Sequence, residues 1–159
     1  MSYENVKAYL KEIGLEERLV IRDNIDTVEH AAQVIGCEEE RIAKTMSFLV
    51  KDEPIVIVMA GDAKVNNALY KAQFHQKAKM VPYQDVEEII GHMPGGVCPF
   101  ALKDNVKVYL DVSLKRFQTV HAAGGSANST IELSNEELEK YTHYVAWVDV
   151  CKGWKQMIK

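Results

Sequence analysis

Residues 54–60 read Pro-Ile-Val-Ile-Val-Met-Ala, and this run constrains the fold more than any other feature of the chain. It has the length of a strand and falls far short of the ~20 residues that a membrane helix needs. Apolar at every position from Ile55 to Met59, it predicts a strand buried on both faces at the centre of a sheet. Just before it, residues 45–50 alternate, with Met46, Phe48 and Val50 opposite Thr45, Ser47 and Leu49. Lys51-Asp52-Glu53 serves as the turn between them, so the pair predicts a β-hairpin.

Helical spacing supplies the layers that such a strand requires. A first helix is predicted over 3–13, with Ser2 as its cap, Gly14 past its end and Val6, Leu10 and Ile13 as its apolar stripe. A short extended piece follows over 19–22. Asp26 and Glu29 then read as a capping box for a second helix that ends at Gly36 and buries Val28, Ala31, Ala32 and Ile35. Gly61-Asp62 opens a third helix with Val65, Ala68, Leu69 and Ala72 facing inward. Asp85 with Glu88 caps a fourth, whose stripe is Val86, Ile89, Ile90 and Met93 and whose stop is Pro94 with two glycines. Strands over 106–111, 119–122 and 130–133, a helix capped by Ser134 with Glu137, and a strand over 144–150 complete the pattern. Strands and helices do not alternate regularly, and several connections look like hairpins. The expected architecture is therefore one α+β domain spanning 1–159, a mixed sheet flanked by helices.

Composition narrows the function classes. The 159-residue chain is 47% hydrophobic and 26% charged, which excludes disorder and allows a real core without staples. Cys37, Cys98 and Cys151 are too widely spaced for a disulfide framework or a zinc site, and free thiols fit a reducing compartment. The N-terminus lacks the apolar stretch of a signal peptide, so a cytoplasmic location is expected. A net charge of −4 argues against coating nucleic acid broadly. Yet residues 63–84 hold no acid and carry Lys64, Lys71, Lys77 and Lys79. Residues 112–131 are likewise free of acid, with Lys115, Arg116 and His121. A small basic face suits a partner that touches over a limited area. Solvated lysines on helix faces would give the same pattern.

Nucleophile and metal motifs are missing: there is no Gly-x-Ser-x-Gly, no His-Glu-x-x-His and no phosphate loop, and the five histidines lack ligand spacing. What stands out is His92-Met93-Pro94-Gly95-Gly96-Val97-Cys98-Pro99-Phe100. Paired glycines let a ligand approach backbone N–H groups, which can then act as an oxyanion hole or carbonyl clamp. A helix stop followed by a turn would use Pro-Gly-Gly equally well. Lys44, just before the alternating strand, can reach a phosphate or polarise a carbonyl, or be an ordinary surface lysine. Cys98 can line a pocket or act as a nucleophile if a histidine, His92 or His121, folds against it.

In order, Ala31-Ala32, Arg41-Ile42-Ala43-Lys44-Thr45, an apolar strand, Ala60-Gly61-Asp62, residues 94–100, Leu110-Asp111, and Gly124-Gly125 before Ile131-Glu132-Leu133 resemble the YbaK / prolyl-tRNA synthetase-associated editing domain family in its free-standing form. The resemblance covers residues 4–150. It implies a mixed, strongly curved, barrel-like sheet surrounded by helices, and hydrolysis of the ester joining a wrong amino acid to the terminal adenosine of tRNA. By position, Lys44 matches the family's key lysine, and Gly95 and Gly96 match the loop that holds aminoacyl group and adenosine. These three are the expected catalytic residues, with the substrate's ribose 2′-OH helping to activate water. Thr45, Met46, Val97, Cys98, Pro99, Phe100, His121 and Gly124 are expected at the substrate. Lys64, Lys71, Lys77 and Lys79 are expected to meet the tRNA. No metal or other cofactor is implied. Mischarged tRNA and a synthetase are the expected partners, not DNA or a membrane, and the oligomeric state is left open.

The cysteine-removing branch carries a serine and an arginine pair where this chain reads residues 121–128 as His-Ala-Ala-Gly-Gly-Ser-Ala-Asn. The His-Pro signature of the alanine-removing branch is not found either, so the resemblance leaves the amino acid unread. A non-catalytic module that holds an aminoacyl-adenosine or docks on a synthetase is the alternative reading, and a thiol enzyme built on Cys98 is the third.

Overall fold

The computed structural model describes residues 2–22 and 27–154. Its centre is the predicted hairpin, β2 (Ile42–Val50) and β3 (Glu53–Ala60), paired antiparallel from Ala43↔Ala60 to Val50↔Glu53. Lys51 and Asp52 turn the corner with φ of 50° and 67°. β3 is buried from Pro54 onward, as a run without polar residues requires.

Around the hairpin lie β1 (Leu19–Ile21), β5 (Lys107–Asp111), β6 (Thr119–Ala123), β7 (Ser129–Ser134) and β8 (Ala146–Val148), in the order β1-β7-β6-β2-β3-β5-β8. The β2–β6, β3–β5 and β5–β8 pairs are parallel and the others antiparallel, so the sheet is mixed as expected. It is an open series with β1 and β8 at its ends rather than a closed barrel. A small ribbon joins β4 (Lys64–Val65) to β9 (Cys151–Lys152).

The helices follow their caps. α1 (Ser2–Glu12) buries Val6 and Leu10. α2 (Val28–Ile35) starts at Thr27, whose hydroxyl accepts from the His30 amide, and ends at Gly36 with φ of 84°; Asp26, the expected cap, lies outside the described residues. α5 (Asn135–Tyr141) carries the predicted capping box of Ser134 and Glu137.

Two helices depart from expectation. α3 (Asn67–Phe74) begins at Asn66 rather than Gly61-Asp62, and it buries Tyr70 and Phe74 while Leu69 is exposed. The cause is long-range: β4 pairs with β9, and the Asn66 amide donates to Val150 O at 2.8 Å, which keeps 64–66 extended. α4 (Val86–Ile90) stops at Gly91 with φ of 108°, not at Pro94, and Asp85 makes no side-chain cap. Met93 is therefore outside the helix and 55% exposed. The last predicted strand is split between β8 and β9.

Candidate active site

The parallel pairing of β2 with β6, Ile42↔His121 and Ala43↔Ala122, sets the start of β2 beside the β6–β7 hairpin. α2 packs over this corner through Ala31 and Ala32 on Ile42. The glycine loop after α4 closes it: Gly96 lies so near Gly125 and Ser126 that an added Cβ would come within 2.8 Å of their backbones. Between these elements lies a cavity of about 210 Å³. Lys44 and Thr45 line it from β2, Gly95 and Val97 from the loop, His121 from β6, and Val28, Ala31 and Ile35 from α2.

Lys44, Thr45, Gly95, Val97 and His121 thus meet across one cavity, although they are far apart in sequence. The half-buried Lys44 Nζ donates to Gly61 O at 3.5 Å. Burial pushes its pKa below the ordinary lysine value, and the nearby Cys151, Asp62 and Glu29 pull the other way, while Lys64 adds to the lowering. Thr45 Oγ1 is fully buried and has no partner among the described residues. Burial also lowers the His121 pKa, opposed by Glu132, whose Oε2 lies 4.0 Å from its Nε2.

The two expected glycines differ in their surroundings. Met93-Pro94-Gly95-Gly96 is a turn, with Gly95 at φ of 90° and the Gly96 amide donating to Met93 O at 3.0 Å. Gly96 is therefore a packing residue whose N–H is already used. The Gly95 and Val97 amides have no acceptor among the described residues, and both residues line the cavity.

Met46, Cys98, Pro99, Phe100 and Gly124 do not line it. Cys98 is 0% exposed, with its Sγ 3.6 Å from His92 Nε2 and 3.8 Å from Phe100 O. Burial pushes its pKa up to about 12, which leaves a thiol and no thiolate nucleophile. His92 Nε2 also meets Phe100 O at 2.6 Å, so the pair pins the two ends of the glycine loop. Gly124 packs on Leu19 and Ser129, where a Cβ would approach within 2.5 Å and 2.8 Å.

Of the lysines, Lys64 is close enough to Lys44 to influence its charge. Lys79 O accepts from Leu49 N, and Lys71 O caps the end of α3 beside Gln76, which bonds Leu49 O. They sit toward the opposite end of β2, about 16 Å away at ~3.3 Å per residue. The charged groups next to the cavity are instead Arg18, Arg22, Glu132 and Glu137, around a second hollow of about 540 Å³ that shares His121 and Thr130 with the first. No group of three metal-binding side chains occurs among the described residues. No described helix is long and apolar enough to cross a membrane.

Sequence reasoning missed Thr27, Ser126, Ser129 and Thr130 in the wall. The signal available was the run of small residues over 122–127, which leaves room in the hairpin where larger side chains would fill it.

The aminoacyl-tRNA editing domain matches residues 22–141. The chain belongs to that family. The uncharacterized protein YwhH of Bacillus subtilis is 45% identical over 157 residues, covering 98% of this chain and 100% of its own. EbsC of Enterococcus faecalis, named as a candidate Cys-tRNA(Pro)/Cys-tRNA(Cys) deacylase, is 28% identical over 74% of this chain and 73% of its own. A solved structure described as a candidate trans-editing enzyme for prolyl-tRNA synthetase superposes with a TM-score of 0.85 at 23% identity, over 96% of this chain and 98% of its own. That likeness establishes the editing-domain fold for the sheet and helices described above.

Proposed function

We propose that this protein hydrolyses the ester of mischarged aminoacyl-tRNA in trans, in the cavity between β2, α2 and the glycine loop. The observation that carries this reading is the convergence on one cavity of Lys44 with Gly95 and Val97, whose amides have no acceptor among the described residues. The aminoacyl group enters the cavity with its ester carbonyl toward the two amides. Water attacks the carbonyl carbon, aided by the ribose 2′-OH of the substrate, and the oxyanion that forms is held by the amides and the Lys44 ammonium. The bond to O3′ then breaks, the 3′-oxygen takes a proton, and the amino acid leaves as its carboxylate. An activated ester needs only such positioning and charge stabilisation.

The cavity walls of Ala31, Ala122, Ala123, Ser126 and Ser129 suit a small amino acid. Synthetase pockets separate amino acids that differ by one methylene by only ~1–3 kcal/mol, so a second sieve for small side chains has a reason to exist. Mischarged tRNA is the partner on this reading, and a synthetase that produces it is the natural second one. The test is a panel of tRNAs mischarged with small amino acids. Release from at least one is expected, with Lys44→Ala slowed by about 100-fold or more. Binding of the acceptor end with no release above buffer would instead assign a binding module.

A further inference from the structure

We propose that Lys64 and Lys152 are a pair of ammonium groups that grip phosphates of the tRNA's single-stranded 3′ end where it enters the cavity. The proposal deepens the reading of mischarged tRNA as the substrate and rests on it. β4 and β9 form a two-stranded ribbon with two cross-strand pairs, Lys64↔Lys152 and Val65↔Cys151. Side chains alternate across such a ribbon, so the two pairs face opposite ways. Val65 and Cys151 face inward: Cys151 is 3% exposed, and Val65 packs against the core. Lys64 and Lys152 are both exposed, on the outer face. Residues directly opposite each other have Cβ atoms about 4.5–5.5 Å apart, and like charges so placed repel. Among the described residues neither lysine forms an ion pair, and the acids nearest the ribbon in sequence, Asp62 and Asp149, are no exception. An anionic partner seated between the two ammonium groups would remove that repulsion.

The ribbon lies beside Lys44. Lys44 and Met59 are direct partners across β2 and β3, so their side chains share one face of the hairpin. On that face Cys151 Sγ lies 3.5 Å from Met59 Sδ. The inner pair of the ribbon therefore rests next to the Lys44 side chain, and Lys64 and Lys152 stand one residue farther along, turned to solvent. Lys64 is also near enough to Lys44 to lower its pKa. A strand whose terminal ester meets Lys44 thus has its first phosphates at the pair. Lysine meets phosphate as a point charge without fixed geometry, which suits a single strand of any sequence. None of the large exposed apolar residues lies on the ribbon, whereas the centre of a protein interface would need them. RNA is the partner that this surface fits.

The probe is an uncharged, fluorophore-labelled hairpin RNA that carries a tRNA acceptor stem and its single-stranded 3′ end. Its binding to the full-length protein is read by anisotropy over a range of salt. Lys64→Gln/Lys152→Gln should weaken binding about tenfold and make the salt dependence of log K shallower by about 1.4, roughly 0.7 for each lost contact. Lys64→Arg/Lys152→Arg should bind within about twofold of wild type, because the grip needs charge. Lys77→Gln/Lys79→Gln, with the same change in net charge, should bind as wild type does. The urea midpoint of Lys64→Gln/Lys152→Gln should hold or rise, since two facing charges are gone. A lowered midpoint would make the lysines structural and contradict the proposal. Equal losses in the two glutamine doubles would reduce the effect to net charge and overturn it. So would undiminished binding by Lys64→Gln/Lys152→Gln, which would leave the pair to a protein partner, or a hairpin that wild type does not bind. Failure of the hydrolase reading is a separate result: RNA bound through the pair, with no amino acid released from any mischarged tRNA, upholds the grip and removes the hydrolysis.

Discussion

Gly96 shows how a single missing side chain can build a site. Its Cα faces Gly125 and Ser126 backbone atoms, with only 2.8 Å left for a Cβ, and neither neighbour is the tip of a flexible side chain. Gly96→Ala should cost about 1–3 kcal/mol by overpacking, read as a lower midpoint in urea, and should slow deacylation by shifting Gly95 and Val97. A variant of wild-type stability would show that the two glycine turns do not touch as described. Beneath the same loop, His92 is fully buried and bonded to Phe100 O, and burial lowers its pKa from 6.5. A histidine lowered on folding contributes stability above its ordinary pKa and loses it as pH falls through the folded value. Wild type should therefore lose more Tm than His92→Gln on acidification from about pH 6.5 to about pH 5. His121 shifts in the same direction but is common to both proteins. Equal losses in the two would remove His92 as the cause.

At the scale of the element, α2 is the ceiling of the cavity, contributing Val28, Ala31 and Ile35. It has eight residues and one side-chain cap, Thr27. Thr27→Ala should cost about 1 kcal/mol of stability and raise KM more than it lowers kcat, measured by denaturation and steady-state deacylation. An unchanged KM would detach α2 from binding. This helix was legible because its apolar spacing and its closing glycine agree with each other. So were the hairpin and α5, whose signals are local. α3 and α4 were legible only as helices. The phase of α3 depends on the extended path of 64–66, which the distant β9 and Val150 impose. α4 ends early because Gly91 takes a left-handed φ and Lys103 N reaches Ile90 O, a contact across a loop that no apolar stripe records.

On the scale of the whole molecule, the site is a place where β2, β6, α2 and the glycine loop converge, and convergence is what a linear reading sees least well. Lys44 and Gly95 were found in sequence by the order of motifs, and the fold sets both on the cavity. Cys98 and Phe100 share the same glycine segment but face the core, since neighbours on a tight loop point to opposite sides. The later part of the acid-free lysine stretch lies apart from the cavity: Lys79 O accepts from the Leu49 amide, toward the far end of β2. On a chain of net charge −4, the RNA backbone should be met locally, beside the cavity, by Arg22, whose Nε is steadied by Thr130 Oγ1 at 2.8 Å. Arg22→Ala should raise KM several-fold, roughly threefold or more, and flatten its salt dependence, whereas Lys77→Ala/Lys79→Ala should change neither. The reverse result would return the RNA to the lysine stretch.

The most direct measurement is the rate of amino-acid release from tRNAs mischarged with small amino acids, run in parallel for wild type, Lys44→Ala and Cys98→Ala. Release by wild type, retained in Cys98→Ala and lost to near the buffer rate in Lys44→Ala, is the expected result. No release by wild type from any tRNA in the panel, or full activity in Lys44→Ala, would contradict a catalytic cavity built on Lys44.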